Sequence, residues 1–227
     1  YRHVQLIPLT NGYIAGKHVA RYCINNGYRD AAYITLRGGA KWSMERYRGI
    51  AESFNSAGFT ERVIRFATDW IDLIQPRQHL DETEEACKAA GEEYCNKIDT
   101  YLSPYHSFKY KDFLQQIIDT TERQIFSKKL VPHFEKALNH SELKLWITDC
   151  DFTAKSALVY LENRNLRVPE DIQVVSFDNS YDAFENHISS YDFNISASLR
   201  AALNFILNPL SRNAMKRKGR FNITGKL

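Results

Sequence analysis

Four aspartates and one tryptophan stand where a small polar ligand could be held. Asp69-Trp70 follows the apolar run VIRFA (63–67), Asp149-Cys150-Asp151 follows LKLWIT (143–148), and Asp178 follows IQVVSF (172–177). Carboxylates accept hydrogen bonds from hydroxyls, and an indole covers the apolar face of a sugar ring. Converging acids beside a ring therefore suit a polyhydroxylated ligand. The same aspartates could instead cap the helices that follow their strands, which is the expected role of Asp151. Paired acids also serve glycoside hydrolysis, but the sequence holds no GxSxG, no phosphate-binding glycine loop and no metal-ligand motif. Binding without catalysis, cofactor or metal is the expectation. The cysteines are Cys23, Cys87, Cys95 and Cys150, with no CxxC pair, as in a reducing compartment. Cys87 and Cys95 with His79 and His106 could hold zinc, although two packed helical thiols are the simpler reading.

Those acids converge only if their segments are neighbouring strands. The chain alternates the two periodicities. A short apolar run at 4–9 precedes a helix from Asn11 to about Asn25, stopped at Asn26-Gly27. AAYIT (31–35) is a strand, Ser43 is placed to cap a helix to about Ala57, and VIRFA is a strand. LKLWIT leads into a helix at about 151–163, and IQVVSF has the adjacent β-branched residues of a strand buried on both faces. A helix at 198–207 and a last strand near 220–224 complete the pattern. Repeated strand and helix predict an α/β fold, a parallel sheet flanked by helices. In such sheets ligands sit beyond the carboxyl ends of the strands.

Residues 71–142 break the rhythm, reading as helical and polar throughout. Phe126–Asn139 suffices as the crossover between VIRFA and LKLWIT, with Leu130, Phe134, Ala137 and Leu138 on one face. About 71–125 is then an inserted helical segment.

The chain has 227 residues, 44% hydrophobic and 25% charged, the composition of a folded protein. No apolar run approaches the roughly 20 residues needed to span a bilayer. Six of its 30 basic residues lie between Arg212 and Leu227 without an acid, leaving 24 against 27 acidic residues in the body. That body is not a basic nucleic-acid surface, and the tail reads as a solvated loop. The chain begins at Tyr1 with residues that read like the middle of a domain, as a fragment would.

One stretch is more specific. Residues 168–179, VPEDIQVVSFDN, resemble the VP-(E/D)-D-I-x-V-V-G-(F/Y)-D-(D/N) signature of the lactose/galactose repressor (LacI/GalR) family, with Ser176 in place of glycine. GYIAGK (12–17) with NGYRDAAYI (26–34), RYRGI (46–50) and DFTAKSAL (151–158) resemble further family segments in the right order. Tyr28 stands where histidine is usual, and Cys150 where asparagine is usual.

The resemblance implies a periplasmic-binding-protein-like lobe, here residues 1–192 with the insertion at about 71–125. It also implies a segment returning from the amino-terminal lobe (193–215) and a carboxyl-terminal strand or tail (216–227). It assigns the effector to Arg46, Trp70 and Asp178, and to Asp149 or Cys150 at the place of the usual asparagine. The implied function is the effector-binding region of a cytoplasmic bacterial transcriptional regulator. Its effector would be a sugar or sugar-like molecule, and it would act as a homodimer on operator DNA through a head absent from this chain. The alternative is a solute-binding protein for sugar transport, which shares the two-lobe fold.

Overall fold

Asn11 starts the first helix as its side chain suggests: its Oδ1 accepts from the backbone N–H of Ile14 at 3.0 Å. The helix α1 (Gly12–Asn25) ends before Gly27, whose φ of +93° is the left-handed turn that glycine adopts without strain. A computed structural model describes residues 11–68, 126–207 and 225–227. After α1 follow β1 (Ala31–Thr35), α2 (Lys41–Ser56) and β2 (Val63–Ala67). The second stretch holds helix α3 (126–138), β3 (Leu145–Thr148), α4 (Asp151–Glu162), β4 (Gln173–Phe177), α5 (Tyr181–Glu185), β5 (Ser189–Tyr191) and α6 (Ile195–Leu207). The apolar run at 4–9, the expected last strand near 220–224, the insertion at about 71–125 with its cysteines, Asp69 and Trp70 lie outside the described residues.

The five strands form one sheet in the order β2-β1-β3-β4-β5, and every pair is parallel. The order reverses between β1 and β3, because the chain leaves β1 towards β2 and returns on the other side of β1. That reversal is the switch point beyond which a ligand crevice opens.

Both faces of the sheet are covered. Tyr33, Ile147, Val175 and Phe177 point to the α1–α2 face and pack with Val19, Ile50 and Phe54. Ile34, Trp146 and Val174 point the other way, onto α3 and α4. α3 is the expected crossover: Leu130, Phe134 and Ala137 are buried and Leu138 half-buried, and Phe134 stacks on Trp146 at 5.6 Å. Each such large side chain removed from water contributes about 1.5–3 kcal/mol.

Three local features differ from the sequence-based reading. Ser43 does not cap α2, which begins two residues earlier with Ala40 at its N-cap. The Ser43 hydroxyl is buried inside the first turn, 3.0 Å from the Tyr33 hydroxyl and 3.3 Å from Thr35 Oγ1. Asp151 does not cap α4 either. Its carboxylate accepts from the backbone N–H of Ser180 at 2.7 Å and the hydroxyl of Ser190 at 2.6 Å, tying α4 to the segment after β4. Finally, α5 and β5 had no counterpart in the expected pattern. β5 is three residues long and holds two serines, too short and too polar to show alternation.

Candidate functional site

Arg46 is set in place by helix packing. α1 and α2 cross at glycines: a Cβ on Gly16 would stand 2.2 Å from the Arg46 carbonyl oxygen, and one on Gly49 2.2 Å from that of Tyr13. With both side chains reduced to hydrogen, the two backbones touch. The second turn of α2 is thereby pressed against the carboxyl edge of the sheet.

From there the Arg46 guanidinium spans the strand ends. One terminal N–H donates to the Asp149 carbonyl at the end of β3, and the other donates to Asp178 Oδ1, 3.0 Å away, beyond β4. The guanidinium lies 4.6 Å from the centre of the Trp42 ring and 4.8 Å from those of Phe177 and Phe193. Such stacking suits a flat, weakly hydrated cation. The Arg46 Nε–H is buried with no acceptor among the described residues.

Asp178 sits where the backbone turns sharply. Its φ is +103° and that of Asn179 is +48°, values that Asp and Asn adopt more readily than other side chains. Surrounding bonds hold the turn: Asp178 N–H donates to the Tyr191 carbonyl at 3.0 Å, Asn179 N–H to Ser190 Oγ at 2.8 Å, and Ser180 N–H to Asp151. The unanticipated β5 and the inward Asp151 thus both serve to aim Asp178. Burial pushes the Asp178 carboxyl above its ordinary range. Arg46 opposes that shift, and the nearby Asp151 and Asp149 add to it. The Asp178 side chain remains 43% exposed against 8% for Arg46, so the carboxylate is the accessible member of the pair.

Asp149 is turned inward. It is only 1% exposed, and its carboxylate is engaged inside the protein: Thr35 Oγ1 donates at 2.7 Å and Thr153 Oγ1 at 2.6 Å. β1, β3 and α4 meet at this one side chain, and the Asp149 carbonyl faces Arg46. The physical reason is the hydroxyl pair, which satisfies a buried carboxylate that no cation among the described residues touches. Cys150 is the N-cap of α4 and half-buried. Its thiol is 3.4 Å from Thr153 Oγ1 and is pushed up to about 12, by burial first and then by Asp149. It is a neutral thiol, a weak hydrogen-bonding group at the strand ends.

Arg46, Asp149, Cys150 and Asp178 are therefore brought together, and Trp70 falls outside the described residues. Sequence reasoning missed Trp42, Thr35, Thr153 and Phe193. Trp42 had a readable signal, since it precedes Arg46 by one helical turn and must share its face. The threonines had none, because their role depends on the inward turn of Asp149.

Residues 118–227 match the family model of the periplasmic binding protein-like domain. No curated protein matches the chain. Among solved structures, the chain is similar to a LacI-family transcriptional regulatory protein from Corynebacterium glutamicum. The identity is 16% and the TM-score 0.51, over 85% of this chain and 56% of that one. It is similar to a LacI transcriptional regulator from a Rhodococcus species at 15% identity and a TM-score of 0.52, over 87% and 56%. A third is a putative LacI regulator from Bacillus cereus subsp. cytotoxis, at 15% identity and a TM-score of 0.50, over 87% and 54%. The chain spans a little over half the length of the structures it resembles. It carries the periplasmic-binding-protein-like α/β fold found in LacI-family transcriptional regulators, matched by sequence over residues 118–227 and by fold over most of its length.

Proposed function

We propose that this chain is the effector-binding region of a DNA-binding transcriptional regulator, taking a sugar or sugar-like molecule at the carboxyl edge of its sheet. The observation that carries the reading is the joining of Arg46 and Asp178 beyond the switch point. These are two of the residues that the signature resemblance assigns to the effector, and they meet as a hydrogen-bonded pair with the carboxylate accessible. Arg46 offers a fork of donors, Asp178 accepts from hydroxyls, and Trp42 supplies an aromatic face beside them. Cys150 lines the same edge, and Trp70, which the resemblance adds to the effector contacts, lies outside the described residues. Asp149 acts through Arg46, holding it by the backbone carbonyl.

Binding is favoured over catalysis by the state of the acids. Asp149 is held by two threonine hydroxyls and Asp151 by Ser180 and Ser190, so neither is left to pair with Asp178 as acid and base. Transport is disfavoured because the similar solved structures are described as transcriptional regulators. α6 passes to a second lobe, and closure of the two lobes on the effector shifts how a homodimer presents its DNA-binding heads.

The test is operator binding by the full-length protein, followed by fluorescence anisotropy with and without a carbohydrate that stabilises it against heat. The reading expects the carbohydrate to change operator affinity about 5–150-fold, the usual range of coupling between two sites. Carbohydrate binding that leaves operator affinity unchanged would favour a transport protein. Residues 1–227 alone should show no sequence-specific DNA binding, because their body carries more acid than base outside the tail.

A further inference from the structure

Thr35 uses every bonding position of its hydroxyl. A threonine hydroxyl carries one donor proton and two acceptor lone pairs. At the end of β1, Thr35 Oγ1 donates to Asp149 Oδ2 at 2.7 Å. It accepts from the backbone N–H of Arg37 at 2.8 Å and from the Ser43 hydroxyl at 3.3 Å. Thr35, Ser43 and Asp149 are all buried.

The directions of these bonds follow from Asp149. A carboxylate only accepts, so Thr35 must give its one proton there. Ser43 must then give its own proton to Thr35, which has none left to offer. Tyr33 extends the line: its hydroxyl lies 3.0 Å from Ser43 Oγ and 3.2 Å from the Ser43 carbonyl, both in the first turn of α2. On the other side of Asp149, Thr153 gives its proton to Oδ1 at 2.6 Å. The Cys150 thiol, 3.4 Å from Thr153 Oγ1, is left as the donor of that pair. The protons therefore run towards one carboxylate, from α2 through β1 on one side and within α4 on the other. A chain polarised in one sense strengthens each of its bonds.

The line ends on the residue that Arg46 also reaches. Ala40 gives α2 no side-chain cap, and Ser43 holds the first turn of the helix to the sheet instead. Arg46 follows Ser43 by three residues, one turn on. Its guanidinium donates to the Asp149 carbonyl, while Ser43 and Thr35 lead to the Asp149 carboxylate. α2 is thus tied to the end of β3 twice, and the second arm of the Arg46 fork is left facing Asp178.

We infer that Thr35 is a positioning residue: its hydroxyl, set between Ser43 and Asp149, holds α2 where Arg46 meets Asp178. The inference rests on the reading of that pair as the effector contact. It names a residue that the signature resemblance does not assign.

The experiment is a carbon NMR titration of the Asp178 carboxyl in the full-length protein without effector. Burial raises this carboxyl above its ordinary range and Arg46 opposes the rise, so its titration reports how closely Arg46 sits. Thr35→Val keeps the shape of the side chain and removes the hydroxyl. Asp178 should then titrate at higher pH than in the parent. Ser43→Ala, which removes the link from α2, should shift it in the same direction. Thr35→Ser, which keeps the hydroxyl, should restore the parent titration. Leu130→Ala, in the core on the other face of the sheet, should lower stability and leave Asp178 unmoved. If Thr35→Val fails to fold, Ser43→Ala decides alone. An Asp178 titration unchanged in every folded variant that breaks the line, or displaced as far in Thr35→Ser as in Thr35→Val, would overturn the inference. No effector is present, so that failure is distinct from failure of the effector reading, which operator binding tests.

Discussion

Asp149 shows how one buried side chain can set a site that it does not enter. Its two hydroxyl partners come from β1 and α4, and its carbonyl accepts from Arg46. Removing the carboxylate in Asp149→Ala leaves Thr35 and Thr153 without an acceptor and opens a void beside them. The expected loss is about 2–4 kcal/mol of folding stability, read by urea denaturation, since each stranded polar group costs about 1–3 kcal/mol. The alanine keeps the carbonyl that accepts from Arg46, so effector affinity should fall less than stability does. The position of Asp149 in the chain was plain from the sequence, but its direction was not. Successive residues at a strand end face opposite ways, so Asp149 and Cys150 could not be told apart until their partners were placed. Arg46 and Asp178 were legible because a twelve-residue signature and a short helix motif fixed their register. Trp42 was overlooked because no motif marked it.

Among the elements, the α1–α2 crossing and the turn into β4 make separate predictions. Gly16→Ala and Gly49→Ala each place a methyl group 2.2 Å from a backbone oxygen of the other helix. The helices must move apart, at a cost of about 1–3 kcal/mol, and Arg46 moves with α2. Thermal unfolding gives the cost; a variant as stable as the parent would mean that the crossing has slack. At the entry to β4, Asp171 accepts from the Arg167 backbone N–H at 2.8 Å and from its guanidinium at 3.1 Å. Those bonds hold its carboxyl down at about 2. An unfolded aspartate titrates near 3.9, so the stability from this group is present above that pH and is lost as pH falls through about 2. In Asp171→Asn the fall in stability between about pH 4 and pH 2 should be shallower, because that proton uptake on unfolding is gone. The strand AAYIT was readable residue for residue, since a central parallel strand buried on both faces is a continuous apolar run, and VIRFA at the edge of the described sheet was readable from the apolar residues on either side of Arg65. α5 and β5 were not, because their stability comes from Asp151 and the sheet edge and not from a periodic pattern of their own.

At the scale of the whole molecule, α6 is the element that leaves an apolar stripe exposed. Ile195, Leu199, Leu203 and Leu207 recur every four residues and are 52%, 58%, 55% and 77% exposed. Such a stripe matches a helix returning to a second lobe, as proposed for residues 193–215. Leu199→Ser with Leu203→Ser in the full-length protein should then cost about 3–6 kcal/mol, the sum of two buried leucines. On a helix left in solvent the same pair would change stability by only about 0.5 kcal/mol per site. Near Asp192, Lys226 closes an antiparallel bridge, so the last residues of the basic tail return to the same lobe beside β5. The central claim concerns the edge between these parts, and calorimetric titration of the full-length protein with its effector tests it most directly. Arg46→Ala and Asp178→Ala should each weaken binding by roughly a hundredfold, the cost of leaving about 2–3 kcal/mol of buried hydrogen bonding unmade. Unchanged affinity in both variants would remove the effector from the carboxyl edge of this sheet.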